Sequence, residues 1–387
     1  MSHVGIDLEQ FVTDPYGSGI QRVLQHLALQ WPQDRCVADF IVPWRGQSLI
    51  LSPQQAADLI GLAFAPRGDA TIREAVDSAV AQYADSAPCV HPGQLLSMYS
   101  SWLLPEVSYL PSVLQRFERF QKVMPAVMIG YDTLPMTEPS NYRFRPGASA
   151  WVSEYFRCLA RADSVVCISA FARDSILRDL RRDLSLPISV VHPGGDHGDV
   201  IPRESFAPRD PAPVRIVRLG TLEARKRPVE IARAFAEAVR RGAKMELTFV
   251  GAQSASDQAI NDEIATLTEA GIGMLWVRDA DDGEVARHMS DADLFLSIGT
   301  EGYGIPVLEA IALGTPVLFD GVQPAAELME GRGARRINGM DHSDLIEAFL
   351  TYADPVQIAA LRREISVEDL PTWRQFAEGV CSGVLSA

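Results

Sequence analysis

Two glutamates, Glu301 and Glu309, bracket a glycine-bearing loop in the segment LFLSIGTEGYGIPVLEAIALGTPVLFD. A strand ending at Ile298, then Gly299, Gly302 and Gly304, then Pro306 as first helical residue describe a strand-loop-helix turn, because the missing N–H of proline costs nothing there. Gly314 stops the helix and Thr315-Pro316 opens the next strand. A helix N-terminus fed by such a loop offers free N–H groups and a positive dipole end to an anion or a sugar hydroxyl, and Glu309 falls in its first turn. A second cluster lies upstream in VRLGTLEARKRPVEIARAF. There Gly220 follows a strand and allows close approach to the backbone, and Arg225 and Lys226 supply focused positive charge, with Arg227 at the surface. Taken singly, these acids are more often dipole partners or solvated loop groups, and ARKRP a solvated basic turn. Their strand-end positions in one domain favour a joint anion and sugar site.

Further groups are weighed the same way. In YGSGIQRVLQHLALQ a glycine loop opens a helix, which makes Gly17, Gly19 and Gln21 candidates; Arg22 serves either an anion or the helix surface. Tyr131-Asp132 at a strand end in VMIGYDTLPMTEP divides evenly between a site and a local hydrogen bond. The acidic strings DADD and DAD read as an N-cap at Asp281 or Asp282 and a turn at 291–293, rather than as a metal site. The five cysteines are odd in number and widely spread, without metal-ligand spacing, and are expected to be reduced and mostly buried. A net charge of −15 opposes a phosphate polymer, so no nucleic-acid partner is expected.

At 387 residues the chain suits two domains. The second half alternates strands (Val214–Leu219, Glu246–Val250, Met274–Val277, Leu294–Ile298, Pro316–Asp320) with helical stretches from Val229, Asp257, Gly283, Pro306 and Ala325, the pattern of a doubly wound α/β sheet. The first half shows HVGIDL, PAVMIG, SVVCIS and ISVVHPG as strands, while residues 51–90 are helical in composition without a site signal. Asp199–Val214, with four prolines and no periodicity, has linker composition and places the boundary near residue 205. No apolar run approaches membrane-spanning length, and the first residues lack the basic and apolar regions of an export signal, which together predict a cytoplasmic protein.

The string EGYGIPVLEAIALGTPV resembles the Glu-x7-Glu signature of retaining glycosyltransferase family 4, and the Gly-Thr then Arg-Lys element resembles that family's diphosphate-binding turn. The resemblance implies the GT-B fold, two Rossmann-like doubly wound α/β domains facing a central cleft. An acceptor-side domain would span 1–205, a donor domain 206–370, and a helix over 371–387 would cross back, with Trp373 in a packing role. By the same resemblance Glu301 contacts the donor sugar near its reacting carbon, the backbone of Gly302, Tyr303, Gly304 and Ile305 binds sugar hydroxyls, and Glu309 hydrogen-bonds the ribose. Arg225, Lys226 and Gly220 serve the diphosphate, Val277 and Arg278 the base, and Gly17, Gly19 and Gln21 face the cleft opposite the donor. Asp132 is a catalytic candidate beside Tyr131, where many family members carry histidine; His192 is a secondary candidate.

The activity so implied is transfer, with retention, of a mannosyl, fucosyl or rhamnosyl-like hexosyl group. The donor is a GDP, UDP or dTDP sugar, and the acceptor is a glycan or lipid-linked glycan of a bacterial surface polysaccharide. Neither metal nor cofactor is expected. A lipid-linked acceptor implies peripheral contact with the inner face of the membrane. The alternatives are a non-catalytic sugar-nucleotide-binding subunit and another GT-B enzyme, such as a sugar-nucleotide epimerase.

Overall fold

A computed structural model describes residues 2–65, 71–142, 144, 147–196, 213–254 and 257–387. The chain forms two compact units, one holding Met1–Thr137, Phe144–Gly194 and Pro371–Ala387, the other Glu138–Arg143 and Gly195–Leu370. The expected boundary near residue 205 lies outside the described residues.

The first unit is built on eight strands: β1 (Ser2–Asp7), β2 (Cys36–Trp44), β3 (Gln47–Leu51), β4 (Cys89–Val90), β5 (Ser101–Leu104), β6 (Ala126–Gly130), β7 (Ser164–Cys167) and β8 (Ile188–Val190). Their order is β4-β3-β2-β1-β5-β6-β7-β8. Six run parallel, and β3 and β4 form an antiparallel edge. Strands β5, β6 and β7 are buried along their whole length, as parallel strands covered on both faces must be. Residues 51–90 supply β4 of that edge and the helices Pro53–Gly61 and Ile72–Ala84, each opened by a capping box. The helix Trp373–Leu385 belongs to this unit and packs on the helix Gly19–Gln30 and on β6 and β7. Trp373 is buried and stacks on His26 at 4.2 Å. Gly379 and Gly383 let this helix lie close to the sheet: a Cβ at 383 would sit 2.3 Å from Val166 Cγ2.

The second unit has six parallel strands: β9 (Val214–Leu219), β10 (Met245–Val250), β11 (Met274–Val277), β12 (Leu294–Thr300), β13 (Val317–Val322) and β14 (Ala334–Arg336). The order β11-β10-β9-β12-β13-β14 is that of a doubly wound dinucleotide-binding sheet, whose strand order reverses between β9 and β12. Its core includes Phe235 on the amphipathic helix Pro228–Arg240, set edge-on to Phe349 at 5.5 Å. Full burial of one such ring contributes about 1.5–3 kcal/mol. The helix Asp282–Asp291 is capped by Asp281 in a capping box with Glu284, and Asp293 accepts from Arg215 N, so the acidic strings act locally. Among the described residues no helix is long and apolar enough to cross a membrane.

Candidate functional site

Strand β12 is far from β9 in sequence but lies beside it in the sheet, so the segments leaving their carboxyl ends meet. Open α/β sheets bind ligands at such a reversal point. After β9, Gly220 leads to a single 3₁₀ turn, Ala224–Lys226; after β12 comes Glu301. Arg225 Nη1 donates to Glu301 Oε2 at 2.7 Å and to Thr300 O at 2.6 Å, and Lys226 Nζ pairs with Glu301 Oε1 at 2.9 Å. Arg225 Nη2 also lies 2.6 Å from Glu223 Oε2, close enough for an ion pair but without hydrogen-bond direction.

The turn is seated by glycine. Gly299, inside β12 rather than in the loop, has φ +113°, and a Cβ there would lie 2.1 Å from Arg225 O. Only a residue without a side chain lets the two backbones touch. From below, Arg218 Nη2 on β9 donates to Lys226 O at 2.9 Å. Arg227, at φ +52°, links the turn to the helix that begins at Pro228.

Electrostatics fix the ionisation of Glu301. Burial by itself would raise its pKa, but the charges of Lys226 and Arg225 and their hydrogen bonds outweigh that and bring it down to about 2. Arg225 is shifted upward: burial works against its charge, and Glu301, Glu223 and Tyr142 more than offset it. Tyr142 comes from the short stretch after β6 that belongs to the second unit.

The loop between Glu301 and the helix Ile305–Ala312 is short, because β12 runs on to Thr300. Gly304 is the N-cap with φ +99°, Ile305 opens the helix and Pro306 is its second residue. Glu309, placed by sequence in the first turn, is the fifth helical residue and is buried. Gly302 lies in the loop; Tyr303 is buried, which raises its pKa, and its carbonyl accepts from Ala325 N. Gln323 braces the strand end, donating to Gly299 O and accepting from Ser297 Oγ. Val277 and Arg278 stand at the end of β11, where the Arg278 guanidinium lies 4.1 Å above the Trp276 ring, itself anchored through Nε1 to Gly251 O.

The remaining candidates lie in the first unit. Gln21 is buried, and its amide accepts from Tyr16 N and Gly17 N and donates to Asp14 O. Gln21 and the Gly17 N–H, expected to face the cleft opposite the donor, are engaged in hydrogen bonds within the loop itself. Gly19 opens the helix after the N-cap Ser18, and Arg22 lies over the Phe64 ring at 4.5 Å. Asp132 Oδ1 accepts from Leu134 N, a local turn, while buried Tyr131 donates to Pro105 O. His192 has a pKa lowered by burial. Sequence reasoning missed Arg218 and Gln323, since a lone arginine in a strand and a glutamine after one carry no signal, and it placed Gly299 in the loop rather than in β12. It also missed Glu106 beyond the end of β5, whose pKa burial, reinforced by Asp7, pushes up to about 8.

A family profile described as family 4 glycosyltransferase in conflict systems matches residues 149–342. The serotype-specific mannosyltransferase WbdA of Escherichia coli is 25% identical over 272 residues, which cover 65% of this chain and 32% of that protein. The chain thus spans about a third of the length of the curated relatives it matches. Among solved structures, Anabaena Alr3699/HepE in complex with UDP and glucose superposes with a TM-score of 0.68 at 14% identity, covering 100% of both chains. Sucrose-phosphate synthase from Thermosynechococcus elongatus gives 0.65 at 14% identity, covering 98% of this chain and 97% of that one. These likenesses carry the fold, GT-B with two Rossmann-like α/β domains. With the profile spanning half of the sequence, the chain belongs to the family 4 glycosyltransferases.

Proposed function

We propose that the chain transfers a hexosyl group, with retention of configuration, from a nucleoside diphosphate sugar to a hydroxyl of a glycan or lipid-linked glycan. The observation that carries this reading is the Arg225–Lys226–Glu301 cluster at the point where strand order reverses. The bond that breaks joins the anomeric carbon to the diphosphate, and negative charge grows on the leaving group. Two half-buried cations held by Glu301 at the turn after β9 are pre-oriented to stabilise it. The helix Ile305–Ala312 adds N–H groups and its positive dipole end.

Glu301 is doubly ion-paired with a pKa near 2, which makes it a poor nucleophile and supports a role in orienting the sugar. Glu309 then serves the ribose, Gly302, Tyr303 and Ile305 the sugar, and Val277 and Arg278 the base. Arg225 and Lys226 do the work a bound metal would otherwise do, so turnover is expected to survive a chelator. The likeness to WbdA supports a mannosyl donor and a polysaccharide acceptor, with the protein acting peripherally at the inner face of the membrane. The description of the matched family favours a second reading of the acceptor, a target in a conflict system rather than the cell's own surface glycan.

Incubation with GDP, UDP and dTDP sugars, with and without acceptors, tests the activity, and NMR of the product's anomeric carbon tests retention. Glu301→Ala and Lys226→Ala should each lower turnover by about 10²-fold or more with the circular dichroism spectrum unchanged. Full turnover in both variants would sink the site. Binding of a sugar nucleotide without turnover on any acceptor would instead mark a non-catalytic subunit.

A further inference from the structure

Arg218 is 3% exposed, in the body of β9, and the reading above gives it no role. One of its N–H groups holds the turn through Lys226 O. Its Nε and Nη1 are buried with no hydrogen-bond partner among the described residues. Burial lowers its pKa to about 10, with Glu301 pulling it back up and Arg225 pushing it down. A buried guanidinium with idle donors is costly, and these donors stand free to serve another state of the site.

That other state follows from the charges. The charged and titratable groups of this cluster are Lys226 and Arg225, which act directly on Glu301, Arg218 from β9, which is acted on by Glu301, and Glu223 and Tyr142, which act on Arg225. Without ligand, Glu301 is neutralised by Arg225 and Lys226. A diphosphate that recruits those two cations takes both partners from a half-buried carboxylate, which would then favour its protonated form.

We propose that Arg218 is the standing counter-charge beneath the site, keeping Glu301 ionised when Arg225 and Lys226 turn to the diphosphate and holding their turn in place by Lys226 O. This rests on the diphosphate reading of the Arg-Lys pair. An arginine suits the task because its planar fork can hold the carbonyl with one N–H and present the others to a carboxylate, which a single ammonium does less well. Arg218 is a positioning residue, acting through Glu301 and Lys226.

Proton linkage tests it. Metal-free UDP and GDP are titrated calorimetrically into the full chain near pH 6, in two buffers of different ionisation enthalpy, so that protons bound per nucleotide can be counted. Because the nucleotide's own terminal phosphate titrates near pH 6, the readout is the difference between variants. Arg218→Lys should match the unsubstituted protein, Arg218→Met should take up about one proton more per nucleotide, and the double variant with Glu301→Gln should lose that excess. Should Arg218→Met fail to fold, Arg218→Gln, which retains a donor for Lys226 O without the charge, makes the same comparison. Equal proton counts with and without the guanidinium overturn the proposal, since a merely structural arginine alters stability and not protonation. Absence of binding by either nucleotide to the unsubstituted protein overturns the diphosphate reading itself.

Discussion

At Glu301, burial and pairing oppose each other, and pairing wins. A carboxylate whose pKa is depressed in the folded state adds stability above its unfolded value of about 4.5 and loses it as pH falls through about 2. Acid titration of unit stability should therefore show a decline over that window that Glu301→Gln removes, measured as melting temperature against pH. Glu106 behaves in the opposite sense. Its pKa is raised from about 4.5 to about 8 by burial, so its contribution is fully present below the lower value and is lost as pH rises through the upper one. Glu106→Gln should melt above the parent at pH 9 and converge with it at pH 5; an unchanged gap would show that the carboxyl is not buried as described. The sequence displayed Glu301 openly, because its neighbours form a recognisable string. Glu106 and Arg218 were not legible: their burial comes from elements distant in the chain.

Among the elements, strand-end turns place the chemistry, and close backbone approach holds them. Gly299→Ala puts a Cβ at 2.1 Å from Arg225 O at a positive φ, so it should cost roughly 2–4 kcal/mol in denaturant unfolding and weaken nucleotide binding along with it. Gly383→Leu should lower stability by about 1–3 kcal/mol, since the helix Trp373–Leu385 would be pushed off β7. Element type in the second unit could be read closely from periodicity, and β9 and β11 fall where the pattern put them. Boundaries moved where tertiary pairing extended a strand: β12 runs to Thr300 because it pairs with β13 through Val322. In the first unit β2, β3 and β5 escaped notice, being short or irregularly patterned and defined by their neighbours in the sheet.

Over the whole molecule, the chain folds as two α/β units, and its last helix belongs with the first although it follows the second in sequence. Trp373, Phe376, Val380 and Cys381 of that helix are buried. Deleting 371–387 should therefore expose an apolar face and lower the melting transition of the first unit, by more than the few degrees of a single substitution, while leaving that of the second in place; differential scanning calorimetry would separate the two. By itself the sequence determined the alternation of strands and helices in the second half, the strand-loop-helix turns and the residues at their tips. Those are local properties, set by side-chain periodicity, glycine and proline. The tertiary structure alone decided that β9 and β12 are neighbours, so that Arg225 and Lys226 close on Glu301. It also decided that Gln21 turns inward and that Arg218 lies beneath the pair. Strand order and burial arise from contacts between residues far apart in the chain, which no local pattern encodes.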